Sequence, residues 1–333
     1  MARLLFHSDG ISERGTTTSI IGYMSALLDE GHEITWVTQD VSINDAEVIN
    51  RYSNMFNIEV YKNFREFHIS AKHKYDWAYF MKKGENDGKI IEGVPSSIHS
   101  VFKYYQPHGD VYAYISKWLA NSSASLAIPL LPTKVKNRIP NPAVRLPWVP
   151  YGVDLPNPTQ SLRSEWGIPE EAKLILRYGG RETFDIPWVL EEVIWQLTNC
   201  KDFYFVGVNT EKFTSHPRAI FLPTVYSNIE KANMLSSADV VLHGRLQGES
   251  FGMVILEAMQ AGKEVLSWNG GWDRNHVKLL APESLYRNQK DLRRKLSSGQ
   301  TDRTISLNLA KANEYRISSV MPRFKKVFGQ GVL

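Results

Sequence analysis

The sequence has very little cysteine: Cys200 is the only one among 333 residues. A single cysteine excludes an intrachain disulfide and a zinc site of paired cysteines, and it is typical of a reducing compartment. No apolar run approaches the roughly 18 residues that a membrane-spanning helix needs, and the stretch from Met1 to Ser8 carries no signal-peptide core. We therefore expect a cytoplasmic protein without a transmembrane segment.

An excess of charge is also lacking. The chain has 39 basic and 35 acidic residues, a formal net charge of +4. Proteins that follow nucleic-acid phosphates usually concentrate Lys and Arg into a stripe. The one short basic cluster, Arg323, Lys325 and Lys326, falls on a predicted amphipathic helix, where a solvent face explains it. The charge pattern does not favour a nucleic-acid partner.

Several common catalytic signatures are absent as well. The sequence contains no Walker loop, no His-Glu-x-x-His and no Gly-x-Ser-x-Gly elbow. We therefore expect neither a metal centre nor a bound cofactor.

What the sequence does contain is the composition of an ordinary folded protein, with 43% hydrophobic and 22% charged residues. The length exceeds the roughly 100 to 200 residues of one domain, so two domains are expected. Eight of the 16 prolines lie between Pro129 and Pro158 and indicate irregular connecting chain. We predict a first domain at residues 1–158 and a second at 159–310, with a helix at about 311–333 packing back on the first.

Strands alternate with helices in both halves, the pattern of doubly wound parallel sheets. A helix over 16–28 that Gly31 ends follows the first strand. The predicted strands cover 3–8, 34–38, 58–61, 77–81, 98–102, 111–115, 174–178, 203–208, 219–222, 240–243 and 264–268. Ligands of such sheets bind beyond the carboxyl ends of the strands. We therefore expect a cleft that is faced by His99 and by the loops at 8–15, 179–183 and 243–252.

The segment from His243 to Gly262 carries the most chemistry. It reads as the end of a strand, a Gly-containing loop and a helix that begins near Ser250. A helix start there offers the backbone N–H groups of Ser250, Phe251 and Gly252 to an anion such as a diphosphate.

Two glutamates flank this helix start. Glu249 precedes it and Glu257 lies two turns inside, a separation of roughly 12 Å along the axis. That is comparable to the ribose-to-hexose span of a nucleotide sugar, and each carboxylate can accept hydrogen bonds from paired hydroxyls. By spacing alone, two glutamates on an exposed helix face are the favoured explanation, and the surrounding residues change that balance.

Gly248-Glu-Ser-Phe-Gly, followed by Glu257-Ala-Met and a small-Gly turn, resembles the donor-site signature of retaining GT-B glycosyltransferases of group 1 (family four), which include sucrose synthase. The resemblance extends through Gly31-His-Glu-Ile, Val149-Pro-Tyr-Gly-Val-Asp and Tyr178-Gly-Gly-Arg, in the family's order. It implies the GT-B fold, an α/β architecture of two Rossmann-like domains whose parallel sheets face a central cleft.

The resemblance also implies roles for individual residues. Glu249 is expected to bind the donor sugar's hydroxyls, Glu257 the ribose, and the amides of Ser250, Phe251 and Gly252 the diphosphate. Arg181 resembles an arginine that neutralises the leaving phosphates, and we include its neighbour Gly180. The loop residues His243 and Arg245 complete the expected donor site.

In the first domain, His99 resembles a histidine that lines the donor sugar, with an ordinary core histidine as the equal alternative and His108 as the rival candidate. Gly10 and Gly15 resemble glycines that let the backbone approach phosphates or acceptor. We thus expect catalysis to depend on Glu249, Arg181 and His99.

The sequence departs from the family pattern at Ile186, where a lysine usually lies five residues after the arginine. Arg245, Lys263 or Arg274 would have to supply the missing charge, and the sequence does not select among them. The aromatic residues Trp268 and Trp272 around a double glycine are a second departure; they suit sugar stacking or packing at a domain interface.

The function implied by the resemblance is metal-independent transfer, with retention, from a nucleotide diphosphate sugar to an acceptor hydroxyl. A UDP- or GDP-sugar is the favoured donor, and a carbohydrate or glycoconjugate is the expected acceptor. A nucleotide-sugar epimerase of the same fold and a non-catalytic nucleotide- or sugar-binding module are the alternatives, and an enzyme acting on modified DNA bases is a narrower variant. The donor, the acceptor and the oligomeric state are not identified by the sequence.

Overall fold

A computed structural model describes residues 1–12, 15–127 and 145–333. It divides into two compact units, Met1–Gly152 with Ile317–Leu333 and Val153–Arg316. The sequence placed the boundary at residue 158 and the returning segment at about 311. Much of the proline-rich connection predicted there, from 128 to 144, lies outside the described residues.

The elements are numbered along the described chain. The strands are β1 Arg3–Ser8, β2 Glu33–Gln39, β3 Asn57–Tyr61, β4 Trp77–Lys82, β5 Ser96–Ser100, β6 Val111–Tyr114, β7 Lys173–Arg177, β8 Phe203–Val208, β9 Ala219–Leu222, β10 Val240–His243, β11 Gly248–Glu249, β12 Glu264–Trp268, β13 Asp273–Arg274 and β14 Leu285–Tyr286. The α-helices are α1 Gly15–Asp29, α2 Ala46–Tyr52, α3 Phe64–Ala71, α4 Lys117–Ala127, α5 Pro187–Asn199, α6 Asn228–Ser237, α7 Met253–Gln260, α8 Asn275–Leu279, α9 Gln289–Ser298, α10 Asp302–Asn313 and α11 Ile317–Phe328.

The first unit is built on a six-stranded parallel sheet of order β3-β2-β1-β4-β5-β6. The central strands β1 and β4 are almost fully buried, as expected where helices cover a parallel sheet on both faces. All six residues of β4 are buried, for example. The loop after α1 closes with Gly31 and His32 donating to the carbonyls of Leu28 and Leu27, so Gly31 ends this helix as predicted.

The second unit repeats this architecture with a six-stranded parallel sheet of order β14-β12-β10-β7-β8-β9. The strand order reverses between β7 and β10, and ligands of open parallel sheets bind beyond the carboxyl ends at such a point. A short parallel pair, β11 with β13, lies outside the main sheet. The predicted architecture of two parallel α/β sheets is confirmed.

The C-terminal region differs from its prediction in one respect. The sequence predicted one helix over Lys311–Phe328, whereas α10 ends at Asn313 and α11 begins at Ile317. Between them the carbonyl of Tyr315 accepts from the amide of Val153, 2.8 Å away. Because that hydrogen bond is made to a distant part of the chain, the local apolar pattern could not indicate the break. Among the described helices, none has the length and apolar character needed to cross a bilayer.

Candidate functional site

The candidate site of the second unit lies at the carboxyl edge of its sheet. Strands β7, β10 and β12 are neighbours, and they end at Arg177, His243 and Trp268. Because parallel strands end at the same edge, the loops that follow them lie together. These loops carry most of the residues that the sequence singled out.

Glu249 is the centre of a hydrogen-bonded cluster on β11. Its Oε1 accepts from Nε2 of His243 at 3.1 Å and from a guanidinium nitrogen of Arg245 at 3.3 Å. His243 is oriented from its other side by Ser267, whose Oγ lies 2.9 Å from Nδ1. Its carbonyl also accepts from the hydroxyl of Tyr286 at 2.7 Å. The structure therefore brings together the three predicted residues Glu249, His243 and Arg245.

The charge of Glu249 follows from these partners. Burial alone would raise the pKa of Glu249, but the hydrogen bond from His243 and the electrostatic influence of His243 and Arg245 outweigh burial and lower that pKa below its ordinary value. The side chain keeps 20% of its surface exposed. Glu249 is thus a carboxylate at neutral pH, with acceptor capacity left for hydroxyl groups.

His276 holds the backbone at Glu249, and sequence reasoning missed it. The amide of Glu249 donates to Nδ1 of His276 at 3.3 Å, and Nε2 of His276 donates to the carbonyl of Trp268 at 2.9 Å. Burial, followed by the nearby charge of His243, lowers the pKa of His276 to about 4. The imidazole is therefore neutral at pH 7 and can accept at one nitrogen while it donates at the other. No motif in the sequence marks this residue.

Glu257 lies in the interior of the unit. It is 5% exposed, accepts from the hydroxyl of Tyr178 at 2.9 Å, and has Nζ of Lys231 3.6 Å from its other oxygen. Tyr178 and Lys231 were also missed, because both are far from Glu257 in sequence. The carboxylate of Glu257 is therefore buried and paired, and its ribose-binding role stays a prediction.

Two arginines differ in exposure: Arg177 ends β7, and Arg181 lies in the loop after it. The predicted Arg181 is 72% exposed, with Nε 3.9 Å from Glu211. Arg177, which the sequence analysis overlooked, is 2% exposed and fixes the loop by donating to the carbonyl of Gly180 at 2.6 Å and to Thr183 at 2.9 Å. The sequence did offer one signal for Arg177, because it is a charged residue at the end of the apolar strand β7.

Burial lowers the pKa of Arg177 to about 10, against the opposing negative charges of Asp185 and Glu249. Arg177 therefore stays positive at neutral pH, and its field reaches Glu249.

Position 186, where the family usually has a lysine, lies in the apolar interior. Ile186 is 1% exposed and belongs to the apolar core around Val189 and Leu242. Of the three proposed substitutes, Lys263 donates to the carbonyl of Ser236 at 2.7 Å, beyond the C-terminal end of α7. Arg245 contacts Glu249, and Arg274 lies opposite Glu249 in the β11–β13 register. The structure thus reduces the candidates beside Glu249 to these two arginines.

The helix after Glu249 begins later than predicted. α7 starts at Met253, not near Ser250, and Gly252 precedes it with a φ of 99°. A side chain is strained in that left-handed conformation, so glycine suits the position. Phe251 is 3% exposed and its carbonyl accepts from Asn275 at 2.6 Å. The predicted anion-binding amides of Ser250, Phe251 and Gly252 therefore lie in the turn before the helix, and their role stays a prediction.

The histidine predicted in the first unit is an interior side chain. His99 on β5 is fully buried; Nδ1 lies 2.5 Å from the hydroxyl of Tyr79 and Nε2 lies 2.8 Å from the carbonyl of Val149. Burial lowers the pKa of His99 to about 3. With no exposed surface and both nitrogens bonded, the geometry favours the alternative of an ordinary core histidine.

The other candidates of the first unit lie at the carboxyl edge of its sheet. A Cβ on Gly10 would come within 2.3 Å of Ile43, so only glycine fits there without a shift. Gly15 begins α1 and its carbonyl accepts from Ser19 at 2.6 Å. The two residues before it, 13 and 14, lie outside the described residues. Phosphate or acceptor contacts by Gly10 and Gly15 stay predictions.

The rival His108 is partly buried. Its Nε2 accepts from Nζ of Lys82 at 3.3 Å, and its Nδ1 donates to the carbonyl of Gln106 at 2.7 Å. Lys82 is 2% exposed and is paired with Asp87 at 2.5 Å. The interior ammonium group therefore holds His108 in place at the end of β4.

The buried histidines predict an acid-sensitive fold. Burial lowers the pKa of both His7 and His99 to about 3, whereas an unfolded histidine titrates near 6.5. The unfolded chain then binds more protons as pH falls below about 6.5, so stability falls. At pH 5 each histidine is expected to cost about 2 kcal/mol relative to pH 7. Urea unfolding at pH 7 and pH 5 measures this effect. Between the two pH values, the free energy of unfolding of His99→Gln should fall by about 2 kcal/mol less than that of the wild type.

The exposed His73 supplies the control, because His73→Gln should leave the pH dependence of unfolding as it is in the wild type. An equal loss of stability in His99→Gln and wild type would contradict a neutral, buried His99.

Within the described residues, no group of three or more His, Cys, Asp or Glu side chains is arranged to hold a metal ion.

Part of the second unit, including this site, matches a known protein family. Residues 211–280 match the model of the family described as "Glycosyl transferases group 1". The match includes Glu249 and Glu257 and the loops after β10 and β12. A search of curated protein sequences finds no match.

Solved structures match the whole chain. A crystal structure of Anabaena HepE in complex with UDP-glucose superposes with a TM-score of 0.68 at 13% identity and covers 100% of both chains. A glycosyltransferase from Rickettsia africae gives 0.71 at 11% identity, covering 99% of this chain and 98% of its own. Sucrose-phosphate synthase from Thermosynechococcus elongatus gives 0.64 at 13% identity, covering 100% and 99%. At such identities the likeness shows the fold alone: the chain has the GT-B fold.

Proposed function

We propose that this protein is a retaining glycosyltransferase that moves a sugar from a nucleotide diphosphate donor to an acceptor hydroxyl. The observation that carries the proposal is the cluster of Glu249 with His243 and Arg245, which lies just before α7. The cluster falls inside the segment that matches the family model. The UDP-glucose bound to HepE makes a UDP-sugar the first donor to test.

Each group then has a part in the reaction. Glu249 accepts hydrogen bonds from the transferred sugar's hydroxyls, and His243 and Arg245 keep it ionised. Arg181 and Arg245 stabilise the charge that builds on the leaving diphosphate, with the buried charge of Arg177 behind them. The bond between the anomeric carbon and the diphosphate breaks, and the acceptor hydroxyl attacks that carbon from the same face and gives its proton to the departing phosphate oxygen, so the anomeric configuration is retained. Tyr178 and Lys231 hold the carboxylate of Glu257 for the ribose.

In this scheme the arginines do the work that a metal does in other transferases. Transfer should therefore persist in EDTA. A loss of activity in EDTA that added Mg²⁺ or Mn²⁺ restores would overturn metal independence.

A non-catalytic nucleotide-binding module of the same fold is the second candidate. The burial of Ile186 favours it, because the position of the family lysine cannot hold a charge. Such a module would bind nucleotide and release none from a nucleotide sugar.

Isothermal titration with UDP, GDP, ADP and their common sugars tests the proposal. One nucleotide should bind, and Arg181→Ala should weaken it about 10-fold, the usual worth of a charge-assisted hydrogen bond. Arg303→Ala, which removes an exposed arginine from α10, should leave binding unchanged. A failure of all three nucleotides to bind would refute the donor site. A tightly bound nucleotide sugar that is never turned over with any acceptor would favour the module.

A further inference from the structure

Trp272 lies in the loop between β12 and β13 with 88% of its surface exposed. Tryptophan is a highly buried residue on average. Within the described ranges its ring has no aromatic or cation–π contact, and its indole N–H has no hydrogen-bond acceptor. The side chain therefore contributes almost nothing to the packing of its own unit.

The backbone that carries this indole is nevertheless fixed. The amides of Trp272 and Asp273 both donate to the carbonyl of Gln247, at 2.8 and 3.0 Å. Gly271 has a φ of 100°, and a Cβ there would lie 2.6 Å from the same carbonyl oxygen. The side chain of Gln247 also donates to Asp273 at 3.1 Å. The exposed indole ring thus projects from a turn whose backbone is fixed by hydrogen bonds.

The same turn is bonded to the proposed sugar site. In the pairing of β11 with β13, Gly248 lies opposite Asp273 and Glu249 opposite Arg274. His276 joins the two segments by accepting from the amide of Glu249 and donating to the carbonyl of Trp268. Glu249 and the Trp272 turn therefore form one hydrogen-bonded unit.

We propose that Trp272 is a platform on which the apolar C–H face of a pyranose ring stacks, a role that rests on the proposed function of Glu249. A flat indole offers a large apolar face with a polar N–H at its edge, which suits a ring with one apolar face and a rim of hydroxyls. The side chains of Gln247 and Asp273, which are bonded to each other in the same turn, offer polar groups for those hydroxyls.

A nucleotide base is the less suitable occupant. In the proposed site Glu257, inside α7, binds the ribose, and the base lies on the far side of the ribose from the sugar. The amide of Trp272 is bonded to Gln247, and the next residue, Asp273, lies opposite Gly248, on the Glu249 side of the site. The pyranose can come from the donor or from the acceptor, and both offer the same C–H face.

Titration of UDP-glucose and UDP into Trp272→Ala and Trp272→Phe separates these sources. If the donor sugar stacks, Trp272→Ala weakens UDP-glucose about 5- to 10-fold and leaves UDP unchanged, while Trp272→Phe keeps most of the affinity. If the acceptor stacks, UDP-glucose binding and its slow hydrolysis stay unchanged, and KM for a saccharide acceptor rises by a similar factor. Trp195→Phe, which removes a partly exposed tryptophan on α5, is the control.

A separate readout does not need the nucleotide. Iodide should quench the exposed Trp272 in the wild type, and rising glucose or maltose should protect a component of the fluorescence that Trp272→Phe lacks. Weaker binding of UDP itself in Trp272→Ala would overturn the proposal in favour of base stacking. The absence of any Trp272-dependent change in sugar affinity, KM and quenching would overturn it outright. If the wild type binds no nucleotide, the proposed function fails, and the quenching experiment alone decides the role of Trp272.

Discussion

Replacement of Glu249 by glutamine is expected to lower kcat/KM for sugar transfer about 100-fold, a loss typical of a group that acts on the charge of a transition state. The amide keeps the shape of the side chain but removes the negative charge that His243 and Arg245 now stabilise. Hydrogen bonds from sugar hydroxyls to an amide are weaker than those to a carboxylate. The rate of transfer and the affinity for UDP, measured together, check this result, because UDP affinity should change little.

The fold should tolerate this change, since the Glu249 side chain is partly exposed and its backbone is held separately by His276. Glu191→Gln, at an exposed position on α5, is the matched control and should transfer sugar at the wild-type rate. Full activity of Glu249→Gln would remove Glu249 from the mechanism. An equal loss of activity and thermal stability would assign it a structural role instead.

Most of both sheets could be predicted because most buried strands are short β-rich apolar runs between Gly, Pro or polar residues. β10 and β12, for example, have the predicted bounds 240–243 and 264–268. The two-residue strands β11, β13 and β14 are too short to show a period, so no pattern could indicate them. The start of α7 was placed too early because the left-handed turn at Gly252 delays the helix.

The candidate site was predictable only where its residues are close together in sequence. His243, Arg245 and Glu249 occupy one loop, and the family signature marks that loop. Tyr178, Lys231 and His276 join the site through bonds between distant segments, which a single sequence does not display. His99 shows the reverse difficulty: a histidine at a strand end suits both a substrate contact and a core position, and its burial separates the two.

Removal of Arg293 is expected to lower the free energy of unfolding of the second unit, because it leaves the buried carboxylate of Glu192 without its charged partner. Arg293 on α9 binds both oxygens of Glu192, a fully buried carboxylate on α5, with the shortest distance 2.8 Å. It also lies over the ring of Trp195, 3.7 Å from the centroid. Without it, Glu192 still accepts from the side-chain amide of Gln196 at 3.0 Å, but that donor carries no charge. Urea unfolding of Arg293→Ala measures the loss.

The double variant Arg293→Ala with Glu192→Gln isolates the cause, because a neutral amide needs no counter-charge. It should recover a large part of the lost stability, whereas Lys290→Ala, an exposed change on the same helix, should cost less than about 0.5 kcal/mol. If the double variant is no more stable than Arg293→Ala, the loss comes from the contact with Trp195 and not from the buried charge. Below its unfolding transition, Arg293→Ala should still bind UDP as the wild type does, since the pair lies on α5 and α9 and makes no contact with Glu249, His243 or Arg245.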